Sequence, residues 1–160
     1  MNRRKWPIVL LLATAISCAF VCCKKPKKED PPVMNVPELL VGKKWQIVSE
    51  IPERDVDSDG DGNIDRDLHM LAAECELDNY TVFQANGFVL KSDNLTLCTE
   101  TPPQEIRWEL TNNNSKIKVT SPDEEYILHI KSLTDHAMTA DRQYIIAGAP
   151  VNVTITFKKI

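Results

Sequence analysis

The chain has 160 residues, 42% of them hydrophobic, and a formal charge of −4, which is enough for one domain with a core of ordinary size. The charge is unevenly placed: residues 31–160 carry 12 Lys/Arg against 21 Asp/Glu, whereas residues 24–30 carry four lysines against two acids. An acidic domain on a short basic stem excludes a nucleic-acid partner, because neutralising phosphates needs a basic face; such a stem suits anionic headgroups instead.

Met1–Lys5 is positively charged, and Trp6–Val21 is an uninterrupted apolar-to-neutral run of 16 residues. That length is short for a membrane span and fits a secretory signal peptide; an uncleaved anchor helix is the competing reading. Cys18, Cys22 and Cys23 at its end make it resemble a bacterial lipoprotein signal. Ala15-Ile16-Ser17-Cys18 matches the lipobox pattern, with a small residue before the cysteine. Cys23 matches by context, since Lys24 opens a charged, proline-containing tether. The resemblance implies a signal over residues 1–23, a lipid on Cys23 or Cys18, and a flexible tether over 24–35. It places a domain over 36–160 outside the cytoplasm in the cell envelope, with the outer membrane as the expected surface. With Cys23 lipidated, the mature chain keeps one pair, Cys75 and Cys98; with Cys18 lipidated, a vicinal Cys22-Cys23 remains as well.

Val36–Val41 reads as one helical turn entered through Pro37, and Trp45–Glu50 as the first strand. Glu53–Asp67 then holds seven acids and two arginines. Within it, Asp57, Asp59 and Asp61 take loop positions 1, 3 and 5, Gly62 position 6, Asn63 position 7 and Asp65 position 9 of an EF-hand-type calcium loop. Leu68 stands where the bidentate Glu of position 12 belongs. The competing reading is a solvated acidic loop, so Ca2+ is a candidate cofactor and no other is called for. Ile64–Ala73 has Leu68, Leu71 and Ala72 at helical spacing, which predicts a short helix after the first strand.

Tyr80–Ala85 and Phe88–Ser92 flank Asn86-Gly87, the dipeptide suited to a two-residue type I′ hairpin turn. Cys75 and Cys98 lie just outside the two arms, so folding the hairpin brings the sulfurs together. In an exported chain that predicts a disulfide; metal binding is the rival, without a CxxC spacing or clustered histidines to support it. Glu105–Thr111, Lys116–Thr120, Tyr126–Lys131, Ala137–Arg142 (with Tyr144 and Ile145 extending it) and Val151–Lys158 complete about eight short strands joined mostly by tight turns. Sequential antiparallel neighbours predict an all-β up-and-down meander, which hides its edges by closing into a barrel. A two-sheet sandwich would need a longer crossover.

Leu39-Leu40-Val41-Gly42-Lys43-Lys44-Trp45 resembles the opening of lipocalin-like domains in bacterial lipoproteins. The Asp-rich insertion, Cys75-Glu76-Leu77-Asp78-Asn79, Phe83, Asn86-Gly87, Cys98 and Trp108 follow in the same order. Two lysines separate Gly42 from Trp45 where lipocalins usually have one residue. The resemblance covers residues 36–160 and implies a calycin-type barrel without naming a cargo.

On this fold the alternating face Trp45, Ile47, Ile106, Trp108, Tyr126, Leu128, Ile155 and Phe157 is the candidate lining for a small apolar ligand. The same residues can instead fill a small barrel with their own bulk, leaving a solid module that meets a surface protein partner through an open edge or its calcium loop. Catalysis is not expected. His69, His129 and His136 are scattered, Glu105 and Glu109 share an outer face with Arg107, and no phosphate-cradling glycine loop is present. An acid/base pair such as His129 with Glu109 would have to be assembled by the fold. The expected state is a membrane-anchored monomer.

Overall fold

The computed structural model describes residues 35–92, 95–96 and 105–160. The signal segment, Cys18, Cys22, Cys23, residues 24–34 of the tether and Cys98 lie outside the described residues. Eight antiparallel strands follow one another around a closed barrel: β1 (Lys44–Pro52), β2 (Tyr80–Phe83), β3 (Phe88–Ser92), β4 (Ile106–Thr111), β5 (Lys116–Thr120), β6 (Glu125–Leu133), β7 (Ala137–Ile146) and β8 (Ala149–Lys159). β8 returns to pair with β1, in register from Trp45↔Lys159 to Pro52↔Val153. Closure leaves no sheet edge at the chain's two ends, as the meander predicts.

One end is sealed by α1 (Val36–Leu40). Val36 and Leu40 are buried there, and the Trp45 indole Nε1 donates to the Leu40 carbonyl at 3.1 Å. Trp45 is 1% exposed, so its only polar atom is satisfied where water cannot reach it. Gly42, with φ of 70°, turns the chain from α1 into β1 and donates its N–H to the Phe83 carbonyl at 2.9 Å. The two lysines between Gly42 and Trp45 therefore do not displace the indole from the barrel end.

Alternation continues through the interior, which is lined by Ile117, Val119, Leu128, Met138, Ala140, Val151, Val153 and Ile155, each at most 3% exposed. In β1 this alternation is broken on purpose. The register shifts between Ile47 and Ser49, so Val48 bulges. After it Glu50, opposite Ile155, takes the inward parity, while Ile51 stays 45% exposed. A bulge moves every later side chain to the other face. A second shift in β6, between Ile130 and Ser132, likewise brings Leu133 inward opposite Met138.

Two local expectations are corrected. Short helical segments do follow the first strand, as expected, but Ile64–Ala73 is not one helix. Asp65 is tied back to Val56 across a bridge, and an Asp67 carboxylate oxygen accepts from the Glu50 N–H at 2.8 Å and the His69 N–H at 3.1 Å. Helical turning therefore starts only at Leu68, as a 3₁₀ turn to Leu71. Extended backbone at Ala72 and Ala73 then separates it from α2 (Glu74–Leu77).

The β2–β3 turn is not type I′ either. Phe83 pairs with Val89, the Gln84 N–H donates to Phe88 and the Gly87 N–H to Gln84. Positive φ falls on Gly87 but not on Asn86, giving a three-residue loop over residues 85–87 with a glycine bulge. A two-residue turn would set Phe83 opposite Leu90. The extra residue instead sets buried Phe83 against buried Val89, so core pairing overrides the dipeptide's preference.

Candidate functional site

The inward face of β7 runs Met138, Ala140, Arg142, Tyr144, Ile146. An arginine at inward parity is unusual, because a guanidinium enters a protein interior only with partners. Here the guanidinium carbon lies 3.7 Å from the ring centre of Tyr126 on β6 and 4.5 Å from that of Tyr144. Its Nη2 pairs with Glu124 on the turn before β6. The Tyr144 hydroxyl donates to the Glu50 carboxylate at 2.7 Å, a contact made by the bulge in β1. Arg142 Nε is buried and meets no hydrogen-bond partner among the described residues.

Burial, followed by the Glu50 charge and hydrogen bond, pushes the Tyr144 phenol far above its ordinary value; burial also raises Tyr126. Both rings stay neutral at physiological pH and present their π faces to the cation.

Directly beside this cluster the wall is split. The β6–β7 ladder runs from Leu133↔Met138 to His129↔Asp141 and goes no further, although both strands continue. A crevice of about 570 Å³ occupies the split, bordered by Tyr126, Ile127 and His129 on one side and Arg142 and Gln143 on the other. The rim acids are paired: Glu125 with Lys118 at 3.1 Å, Asp141 with Lys131 at 3.2 Å.

Of the candidate lining residues, Trp45, Ile106, Leu128, Ile155 and Phe157 are buried in the core, and Ile47, Trp108 and Tyr126 pack half-buried against it. All eight meet in one apolar cluster; Tyr126 also borders the crevice. Sequence reasoning placed Glu50, Arg142 and Tyr144 on strands only and gave neither them nor Glu124 a place in a site. The available signal was the parity of Arg142 with Met138 and Ala140.

In the acidic loop, carboxylate oxygens of Asp57, Asp59 and Asp61 lie within 4.8 Å of one another on an exposed surface. The two Asp57 oxygens accept from the N–H groups of Gly60 at 2.7 Å and Gly62 at 3.0 Å. Asn63 donates its backbone and side-chain N–H to Asp61, which lowers the Asp61 pKa. Asp65 stands apart, accepting from the Ser58 N–H at 2.7 Å. These oxygens suit a hard cation, and Asp65 is the member the loop does not bring to the other three.

Cys75 sits half-buried on α2 and is not a free thiol; Cys98 lies outside the described residues. The histidines remain scattered. His129 faces out from β6 opposite Asp141, and Glu109 faces out from β4 opposite Lys118, with β5 between the two strands.

A closed eight-stranded meander sealed at one end by a helix and a buried tryptophan defines a barrel of the lipocalin class. Residues 40–140 match the model of the lipocalin-like domain family. The chain belongs to that family. Among solved structures, a bovine odorant binding protein, a deswapped triple mutant, is similar at 13% identity over 73% of this chain and 72% of that one, with a TM-score of 0.35. No curated protein matches the chain.

Proposed function

We propose that this lipocalin-like domain binds a small, mainly apolar molecule without transforming it. It does so as a monomer at the cell envelope, held to the outer membrane by a lipid on Cys23 or Cys18 and a tether over residues 24–35. The supporting observation is the crevice between β6 and β7, which gives a ligand a side entrance to inward-facing Tyr126 and Arg142. The remaining candidate lining residues, Trp108 and Leu128 among them, belong to the same apolar cluster as Tyr126. A Cys75–Cys98 disulfide is part of the proposal, since the state of Cys75 fits one. Closing a loop of that length contributes about 3 kcal/mol in the chain-entropy account.

A second role, a filled barrel that meets a surface protein and is ordered by Ca2+, has its own support. Ile117, Met138, Ala140, Val151 and Val153 are 0% exposed, so the middle of the barrel is occupied by its own side chains. Asp57, Asp59 and Asp61 would hold the ion, with an affinity of about 10⁻⁴–10⁻³ M, as in extracellular modules.

Native mass spectrometry of the full chain, taken from membranes in mild detergent, separates these roles. The expected result is a noncovalent adduct of apolar mass on the protein. A clean mass that takes up calcium, and fails to do so in Asp59→Asn and Asp61→Asn, would transfer the function to the second role. A clean mass indifferent to calcium would remove both. The same spectra read the lipid: its mass disappears in Cys23→Ala if Cys23 is the anchor, and in Cys18→Ala if Cys18 is.

A further inference from the structure

We propose that the crevice between β6 and β7 is a carboxylate-binding site. The N–H edge of Arg142 would receive the acid head of an amphipathic organic anion, and Glu124 holds that edge in the ligand's absence. Because this rests on the small-molecule role proposed above, it adds the chemical class of the ligand to that role.

The geometry favours an anion over a cation or a neutral head. A guanidinium is a cation, so a cationic head would meet like charge. Two tyrosine rings pack on the guanidinium, so a ligand would have to meet it at an N–H edge once Glu124 has left. On one such edge Nε and Nη2 point the same way and match the two oxygens of a carboxylate. In this structure the match is half made: Nη2 pairs with Glu124, and Nε is buried without a hydrogen-bond partner among the described residues.

Glu124 is suited to leave. Its side chain is 52% exposed, and its backbone is held independently, by Ser121 Oγ accepting from its N–H and by its carbonyl accepting from the Ser121 N–H. Exchanging its carboxylate for a ligand's leaves the charge at the edge unchanged and returns Glu124 to water. The two acids that border the crevice, Glu125 and Asp141, are each paired with a lysine, which limits their opposition to a second anion. Tyr126 and Ile127 offer the ligand's apolar body a surface along the crevice.

The test titrates the full-length protein calorimetrically with octanoate and with octan-1-ol, which share an apolar body and differ in the head. Octanoate is expected to bind roughly tenfold tighter, the scale of one charge-assisted hydrogen bond. That preference should vanish in Arg142→Gln, fall in Arg142→Lys, which keeps the charge and loses the edge, and grow severalfold in Glu124→Gln. Equal binding of the two ligands, with both surviving Arg142→Gln, would overturn the carboxylate site and leave the small-molecule role standing. Binding of neither would remove that role and this site with it. Should Arg142→Gln fail to fold, Glu124→Gln decides alone, since it changes an exposed side chain. No gain for octanoate there overturns the proposal.

Discussion

Tyr144 shows how one residue ties the site to stability. Its hydroxyl donates to a carboxylate, Glu50, in a half-buried position, an arrangement that contributes about 1.5–3 kcal/mol. Burial and the Glu50 charge hold the phenol neutral well above its ordinary value of 10.0. Below that value folded and unfolded chains both keep the proton, and the contribution is fully present. As pH rises past it the unfolded chain releases the proton and the folded chain retains it, so stability falls. Tyr144→Phe should therefore lose about 1.5–3 kcal/mol at pH 7, and its deficit should shrink between pH 10 and 11. Urea unfolding at the two pH values checks this; a deficit constant across them would show that Tyr144 titrates as freely in the barrel as in the unfolded chain. The site around Tyr144 was poorly legible for a physical reason. Arginine and glutamate count as surface residues when read one at a time. What makes Arg142 and Glu50 tolerable inside is supplied by strands distant in sequence and by the bulge at Val48.

At the scale of elements, most strands are legible because one face is buried, and burial writes a period of two into the sequence. Val151, Val153, Ile155 and Phe157 of β8 are the plainest case. Turns carry no such pattern, and their local preference yields to register. Asn86-Gly87 has the composition of a two-residue type I′ turn, yet the two-residue turn with both φ positive is Ala147-Gly148, at 49° and 76°, joining Ile146 to Ala149. Asn112, Asn113 and Asn114 also take positive φ, at 50°, 54° and 63°, which asparagine tolerates and alanine does not. Ala147 is thus the residue in conflict with its backbone, at a cost of about 1–2 kcal/mol. Ala147→Asn should raise stability by about 0.5–1 kcal/mol, since asparagine relieves part of that strain. The control Asn113→Ala should lower stability by a similar amount. Thermal melts of the two variants should move in opposite directions; a fall for Ala147→Asn would mean that the β7–β8 turn is held by contacts the asparagine side chain disturbs.

For the whole molecule, the barrel is closed but not uniform. β7 and β8 pair over ten positions and β8 and β1 over seven, whereas β3 and β4 share two. The ladder between β6 and β7 ends halfway along both strands. Of the fully enclosed side chains, Met138, Ala140, Val151, Val153 and Ile155 belong to the long-paired half, and Phe83, Ile117 and Val119 to the shorter-paired strands. Since backbone hydrogen bonds and buried apolar contacts set the free energy of local opening, the β1–β8–β7 wall should open only with global unfolding. The short pairings from β2 to β4 should open at lower cost. Hydrogen exchange on the native protein should show amides of Ala149–Lys159 protected longest and those of Phe88–Ser92 exchanging earliest among the strands. Arg142–Ile146 is the informative segment. These residues pair with β8 but have no ladder to β6, so they sit at the boundary between the firm wall and the split. A carboxylate bridging the split through Arg142 should slow exchange at Glu125–Leu128, on the far side, while leaving Ala149–Lys159 unchanged. Slowing spread evenly over all eight strands would indicate instead a ligand that stabilises the barrel as a whole from within its core.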